Sequence, residues 1–474
     1  MVANDNINKT YSFPSEMKEW KSVYFIGIGG IGMSALARFF QQRGIQVSGF
    51  DKTETILTKK LEAEGIKIHY EADKNKVSAE TDLVVYTPAI AATNEELVFF
   101  RENGNRVEKR SEVLSSITKS SFNICVAGTH GKTTITTMIG HILRDSGFGC
   151  NAFLGGIAVN YDTNYWQSEK NVCVVEADEY DRSFLKLNPD VAVVSSMDAD
   201  HLDIYGTAEA MENAFIEFTQ KIKPAGMLVK RFGLKRGHEL KRKNEMTYSL
   251  QNDAADVYAK NIKMSEGYYE FDIVLKDKEL TNVKLNMGGM HNVENAVAAM
   301  AVADCLEIAP DKIISAVEKF RGVKRRFEYI INNEWLTFID DYAHHPEELK
   351  ALLQGARSLF RMRRCTVIFQ PHLYSRTKDH AAGIAEVLDM ADRVILMPIY
   401  PAREMPIEGV SSQLILENMQ LENKAILTRE EIMQWIKNGF IKNRDKELGE
   451  LLIVAGAGDI DGIVTPFKNE LKTL

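Results

Sequence analysis

Two glycine-bearing loops and two acid-tipped apolar runs hold the residues that could do chemistry. In Gly128-Thr129-His130-Gly131-Lys132-Thr133-Thr134, which follows the apolar run Asn123-Ile-Cys-Val-Ala127, backbone N–H groups and a lysine can surround the phosphates of ATP. Thr133 or Thr134 can offer a hydroxyl to Mg²⁺. Val126 stands where such a loop usually has its earlier glycine, yet the strand, loop and helix setting is kept. An ATP site also needs hard oxygen ligands, which project from the ends of neighbouring parallel strands. The run from Val172 ends in Glu176-Ala-Asp-Glu179 and the run from Val191 ends in Asp198-Ala-Asp-His201. Thr133, Glu176 and His201 are therefore the expected metal-binding set, and His130 is expected on the phosphate side. Asp178, Glu179, Asp198 and Asp200 read equally well as helix caps or solvated acids.

A second loop, Gly27-Ile28-Gly29-Gly30-Ile31-Gly32, follows the run Val23-Tyr-Phe-Ile and opens the helical pattern Met33 to Phe40, with Asp51 at the end of the next strand-like run. Glycines let backbone amides approach a diphosphate, and an acid at the next strand end can hold a ribose hydroxyl. The pattern fits NAD and other nucleoside diphosphates alike, and a tight structural turn would share it. The phosphoryl-transfer residues downstream disfavour hydride chemistry.

These loops must be held by parallel α/β units, and the sequence offers three: at Val23, at Asn123 and at Thr366-Val-Ile-Phe-Gln370. At 474 residues the chain is long enough for several domains. The polar stretch around Ser120 and the basic Lys324-Arg-Arg326 mark boundaries, giving domains 1–120, 121–324 and 325–474. Between Lys260 and Asn286, alternation such as Tyr268-Tyr-Glu-Phe-Asp-Ile-Val274 predicts antiparallel strands appended to the central sheet. A net charge of −8 argues against nucleic acid as a partner. No apolar run is long enough to span a bilayer and the N-terminus lacks a signal-peptide core, so membrane insertion is not expected and the location is read as cytoplasmic. The five cysteines, Cys125, Cys150, Cys173, Cys305 and Cys365, are scattered through apolar runs and are expected to be buried thiols.

Taken in order, Gly27-Ile-Gly-Gly-Ile-Gly-Met33, the Gly128–Thr134 loop, Glu176-Ala-Asp-Glu179 with Asp181-Arg-Ser-Phe184, Asp200-His-Leu-Asp203, His291-Asn-Val-Glu-Asn295, Arg325-Arg-Phe327, Asp340-Asp-Tyr-Ala-His-His-Pro346, Phe369-Gln-Pro-His-Leu-Tyr-Ser-Arg376 and Ala402-Arg-Glu404 resemble the Mur ligases of peptidoglycan synthesis. The resemblance spans about residues 20 to 460. It implies an α/β protein with an N-terminal Rossmann-like UDP-sugar domain, a central P-loop ATPase-like mixed-sheet domain and a C-terminal Rossmann-like α/β domain. The Gly27–Gly32 loop, with Gly29, Gly30, Ile31 and Asp51, would then bind a UDP-sugar rather than NAD.

The implied reaction is the first amino-acid addition to the peptidoglycan precursor. The lactyl carboxylate of UDP-N-acetylmuramate attacks ATP to give an acyl phosphate and ADP, and the amine of L-alanine displaces phosphate. The resemblance further implies ATP contacts for His291, Asn292, Asn295, Arg326 and Asp341. Tyr342, His344, His345 and Arg376 fall in the region that holds the amino acid, where a guanidinium suits a carboxylate. Lys132, His201, His344 and Arg376 are the implied catalytic set. Leu373 and Tyr180 depart from the family pattern, which often has arginine and serine there. Lys221 and Lys223 lie downstream of His201, and neither is singled out as the carbamylated lysine of related ligases. The competing readings are a recycling ligase that attaches a tripeptide to the same sugar, and an NAD-dependent dehydrogenase. Monomer and dimer are both compatible with the sequence.

Overall fold

Strands covered on both faces read as unbroken apolar runs, and three groups of such runs build three sheets. The computed structural model describes residues 5–472 and shows three α/β domains. The first sheet uses β1 (Ser22–Ile26), β2 (Gln46–Phe50), β3 (Lys67–His69), β4 (Leu83–Tyr86) and β5 (Val107–Lys109) in the order β3-β2-β1-β4-β5. All its pairings are parallel. The chain order reverses beside β1, and the Gly27–Gly32 loop leaves the carboxyl end of that strand. This is where an open α/β sheet leaves a ligand crevice.

The second sheet has ten strands: β6 (Phe122–Ala127), β7 (Asn151–Ala158), β8 (Thr163–Trp166), β9 (Val172–Glu176), β10 (Val191–Val194), β11 (Met227–Arg231), β12 (Glu245–Ser249), β13 (Val257–Ser265), β14 (Tyr268–Leu275) and β15 (Lys278–Leu285). Their order is β15-β14-β13-β12-β11-β10-β6-β9-β7-β8. The central strands pair in parallel, and β8 turns back antiparallel on β7. Burial alternates residue by residue along β14, as the period-two pattern predicts. Two-residue turns join β13, β14 and β15, which makes them an antiparallel meander.

The third sheet uses β16 (Glu328–Asn332), β17 (Leu336–Asp341), β18 (Arg364–Phe369), β19 (Arg393–Leu396), β20 (Lys424–Ile426) and β21 (Glu450–Ala455). Its order is β16-β17-β21-β18-β19-β20, parallel except for β16 at the edge.

The chain divides into two compact units, one comprising Met1–Lys260, Asp272–Thr281 and Glu294–Glu318, the other Asn261–Phe271, Asn282–Val293 and Lys319–Leu474. Within the first unit, the first and second sheets share one core. Phe39, on the helix Ile31–Gln41 that follows the glycine loop, packs its ring 5.5 Å from Phe153 and 5.9 Å from Tyr165 of β7 and β8. Beside it Arg38, 1% exposed, is clamped by both carboxylate oxygens of Glu64 at 2.7 and 2.8 Å and donates to Asn164 Oδ1. Asn164 in turn donates to Ile31 O at 2.6 Å and to Ser34 Oγ at 2.9 Å. A central-domain side chain thus fixes the start of the glycine-loop helix. All five cysteines are buried free thiols. Among the described residues no helix is long and apolar enough to cross a membrane.

Asn164→Ala leaves the buried Arg38 Nη1 without its partner, which costs about 1–3 kcal/mol, and takes one donor from Ile31 O, which keeps Ser34 Oγ at 2.9 Å. The variant should lose about 1–3 kcal/mol in urea unfolding with an unchanged slope. A loss within about 0.5 kcal/mol, the range of an ordinary surface change, would contradict this role.

Candidate active site

The phosphate loop is shaped by hydroxyls at the end of the neighbouring strand. β6 delivers the chain to Gly128, and the helix Lys132–Asp145 begins four residues on. Ser195 Oγ donates to His130 O at 2.5 Å, while Ser196 Oγ accepts from His130 N at 2.7 Å and from Thr129 Oγ1 at 2.9 Å. Gly128 sits at φ +138°, and a Cβ there would collide with Ser195 Oγ. The loop needs glycine at this position for backbone reasons as well as for ligand approach. Asn295 Oδ1 lies over Gly131, 2.7 Å from where a Cβ would stand, so this one residue of the His291–Asn295 motif is at the loop. The His130 ring points out, 72% exposed, 3.8 Å from Asp198.

The acids at the strand ends divide into two groups. Thr133 Oγ1 donates to Glu176 Oε1 at 3.1 Å, and Glu176 Oε2 accepts from Gly155 N at 3.1 Å. Thr134, 5% exposed, is buried in the first helical turn. Lys132 Nζ reaches Glu179 Oε1 at 2.6 Å and Gly128 O at 2.7 Å. Glu179 is fully buried, and burial raises its carboxyl while the Lys132 ammonium pulls it back. His201 stands 4.0 Å from Glu179 Oε1 and 3.6 Å from Asp200 Oδ2, with the Tyr180 ring edge-on at 5.0 Å. Its backbone is left-handed, φ 51°, a conformation that costs energy and clusters at functional sites. Among the described residues no three His, Cys, Asp or Glu side chains form a ready-made metal cage. Thr133 and Glu176 meet directly, and His201 sits with Glu179 instead.

The glycine loop faces the same group of residues. A pocket of about 270 Å³ is lined by Gly30, Gly32, Arg110, Gly155, Glu176 and Asp178, among others. The Arg110 guanidinium lies so close over Gly32 that a Cβ there would stand 2.5 Å from Nη1, and its Nη2 is 3.5 Å from Asp178 Oδ2. Neither Arg110 nor the serine pair Ser195 and Ser196 was singled out from sequence. Arg110 opens a helix in no recognisable motif, whereas paired hydroxyls after the apolar run Val191–Val194 were a readable signal. Asp51 is pinned by Gly29 N at 2.8 Å and Thr53 N at 3.1 Å, at the end of β2 where a ribose-binding acid belongs.

In the second unit, the remaining candidates gather at the carboxyl ends of β17 and β18. Asp341 spends both oxygens on backbone amides, Phe327 N at 2.6 Å and Ala343 N at 2.7 Å. Burial still pushes the carboxyl up to about 6, against the pull of those two amides. Arg326, exposed, lies between Arg325 and Phe327, both left-handed. Burial lowers the pKa of His291, helped by Arg326. Asn292 Nδ2 donates to Gly288 O at 2.7 Å, a bond that closes the helix start. His344 Nδ1 is 2.9 Å from Tyr342 O and must carry the proton, because a carbonyl only accepts. Its Nε2 is thereby the basic nitrogen. Arg376 Nη1 donates to His372 Nδ1 at 3.1 Å, the His345 and His380 rings lie 4.6 Å apart, and Tyr342 is 44% exposed beneath Arg325. Leu373, the departure from the family pattern, adopts φ 69° and caps the helix Tyr374–Leu388 while its N–H bonds Tyr400 O at 2.9 Å. Next to this group Asp340, 3% exposed, is raised to about 8 by burial and by Glu328, Asp341 and Asp461, against the pull of Arg325.

Two consequences can be measured. On the expectation that this loop holds ATP and the Gly27–Gly32 loop holds a UDP-sugar, Gly128→Ala should weaken ATP binding at least tenfold, about 1.4 kcal/mol, with the UDP-sugar affinity unchanged; calorimetry with each nucleotide reads both. Asp340 is an acid whose folded pKa lies above its unfolded value of 3.8. The unfolded chain therefore releases this proton first, and the group's contribution to stability falls as pH rises from about 4 to about 8. Asp340→Asn should raise Tm more at pH 9 than at pH 5, and an equal change at both would contradict the buried, proton-retaining carboxyl.

Comparison with known proteins bears on the whole chain. Residues 22–121 match the Mur ligase family catalytic domain, 126–303 the Mur ligase middle domain, and 325–458 the Mur ligase glutamate ligase domain. The UDP-N-acetylmuramate–L-alanine ligase of Porphyromonas gingivalis is 44% identical over 461 residues, 96% of this chain and 100% of that protein. That of Flavobacterium johnsoniae is 43% identical, covering 96% and 99%. The crystal structure of the UDP-N-acetylmuramate–alanine ligase of Thermotoga maritima superposes with a TM-score of 0.81 at 28% identity, covering 95% of this chain and 99% of that one. A murein peptide ligase of Psychrobacter arcticus, at 23% identity and TM-score 0.67 over 96% and 99%, shares the fold. With all three domains matched and relatives of this identity covering nearly its full length, the chain belongs to the Mur ligase family.

Proposed function

We propose that the chain joins L-alanine to the lactyl carboxylate of UDP-N-acetylmuramate, driven by ATP, through an acyl phosphate. The observation that carries this reading in the structure is the pocket shared by the Gly30–Gly32 loop and Glu176, because Glu176 also touches Thr133 of the phosphate loop. A sugar nucleotide held by the first loop and a triphosphate held by the second would bring their reacting ends to one place. The 44% identity to named alanine-adding ligases favours L-alanine over a tripeptide as the incoming group. Hydride transfer to NAD would leave the phosphate loop unused.

Both substrates are anions, so cationic and N–H groups must lower the barrier to their approach. The backbone amides of Gly128–Thr134, the N-terminus of the helix Lys132–Asp145 and the Lys132 ammonium supply this around ATP. Arg110 supplies it beside the UDP-sugar. Thr133 Oγ1 and Glu176 Oε1 are hard oxygen donors suited to Mg²⁺, an ion that keeps much of its coordination for water and phosphate, whereas His201, the third expected ligand, stands beside Glu179. When bound, the ion would neutralise phosphate charge.

A carboxylate oxygen of the muramyl group attacks the γ-phosphorus and ADP leaves. The amine of L-alanine then attacks the acyl carbon, and phosphate leaves from the tetrahedral intermediate. Arg376 grips the alanine carboxylate, within the group formed by Tyr342, His344 and His345. The free Nε2 of His344 takes the proton that the ammonium must lose before attack. Asn295, whose Oδ1 lies over Gly131, would belong to the nucleotide surroundings, and the family resemblance implies ATP contacts for His291, Asn292, Arg326 and Asp341 as well. The enzyme works in the cytoplasm, where reduced cysteines and ATP are at hand.

With purified protein, UDP-N-acetylmuramate and Mg²⁺-ATP, phosphate release should require an amino acid and prefer L-alanine to glycine or L-serine. Release with a tripeptide but not with L-alanine would overturn the choice of substrate. Lys132→Ala should lower turnover by about 10²–10³-fold or more with UDP-sugar affinity intact. A parallel loss of UDP-sugar binding would mean that the two loops are wrongly assigned.

A further inference from the structure

Glu179 is a side chain that the reaction as written does not use. It is fully buried, yet only Oε1 has a hydrogen-bonding partner, the Lys132 ammonium at 2.6 Å; Oε2 has none. A buried carboxylate retained for structure alone is ordinarily satisfied on both oxygens, because an orphaned buried oxygen is costly. The surroundings hold the acid firmly in place: its own backbone O accepts from Tyr205 Oη at 2.6 Å, and Arg182 N bonds the same carbonyl at 3.0 Å. Lys132 spends one of its three donors on Glu179 and a second on Gly128 O at 2.7 Å, which leaves one for a ligand. A lysine otherwise has a flexible four-carbon stem and much rotamer freedom to lose.

We propose that Glu179 is the positioning residue of Lys132, a buried counter-charge that holds the ammonium at the mouth of the phosphate loop. This role rests on the assignment of Lys132 to the ATP phosphates. The pair gives Lys132 a fixed place before ATP arrives. It also opposes ground-state binding of the nucleotide, since the carboxylate competes with phosphate for the same ammonium. Affinity for ATP is thereby limited while the lysine stays aligned for the transfer.

The test is a double-mutant cycle of Lys132→Ala and Glu179→Gln, reading Mg²⁺-ATP affinity without the second substrate, kcat, UDP-sugar affinity and Tm. Glu179→Gln should bind ATP two- to tenfold more tightly while kcat falls at least tenfold and UDP-sugar affinity stays native. A merely structural role would weaken ATP binding along with kcat, and that result overturns the proposal, as does a native kcat. In the Lys132→Ala background, Glu179→Gln should change ATP affinity less than twofold and raise Tm, because it removes a buried charge left without its partner. If Glu179→Gln alone does not fold, the double variant decides: a Tm above that of Lys132→Ala supports the pairing, and one below it overturns it. Native turnover in Lys132→Ala would instead overturn the assignment of Lys132 to ATP, and this role with it.

Discussion

In the proposed reaction two anions must meet for a carboxylate to be phosphorylated, and their repulsion is the constraint that the site has to overcome. Unit charges a few ångströms apart interact weakly in water but strongly where water is excluded. Cations and N–H groups must therefore be fixed in advance at the places where the anions will lie. In the proposed reaction the first unit would do this by crowding the ends of its parallel strands. Gly128, Lys132 and Thr133 follow β6, Glu176 ends β9, and Ser195 and Ser196 follow β10. The Gly27–Gly32 loop ends β1 in the adjoining sheet and shares a pocket with Glu176.

Burial sets the cost of this arrangement and its precision. Glu179 and Lys132 face one another away from water, and the Arg38–Glu64–Asn164 network ties the start of the glycine-loop helix to β8. Each of these charges would be a liability alone, and each is held by a partner from a distant part of the sequence. The same economy appears in the second unit, where Asp341 fixes the turn at Phe327 through backbone bonds and Arg325 sits among Asp340 and Asp461. Aligned loops of two domains thus follow from how buried polar groups find their partners.

Much of this was legible in the sequence, for physical reasons. Apolar runs buried on both faces announced the parallel strands at Val23, Asn123 and Thr366, and alternation announced β14. The phosphate loop was readable because local backbone chemistry defines it. Pairings made by tertiary packing were not readable: nothing local marks Arg110 as the guanidinium over Gly32, or tells that Glu179 rather than Asp178 meets Lys132. The resemblance put His291, Asn292 and Asn295 together at the ATP site, and the structure shows Asn295 Oδ1 over Gly131. The motifs left another trace that sequence does not show. Arg182, His201, Arg325, Phe327, Leu373 and Ala402 are six of the eleven non-glycine residues with left-handed backbone among the described residues. Strain of this kind survives only where the surroundings enforce it.

In the proposed reaction a carboxylate oxygen of UDP-N-acetylmuramate is transferred to phosphate on the way to the amide. The most direct measurement uses UDP-N-acetylmuramate with ¹⁸O in its lactyl carboxylate, turned over with Mg²⁺-ATP and L-alanine, and mass analysis of the phosphate released. An acyl phosphate intermediate predicts one labelled oxygen in each phosphate and one retained in the new amide. Unlabelled phosphate would contradict it and would mean that ATP is hydrolysed without passing through the muramyl carboxylate.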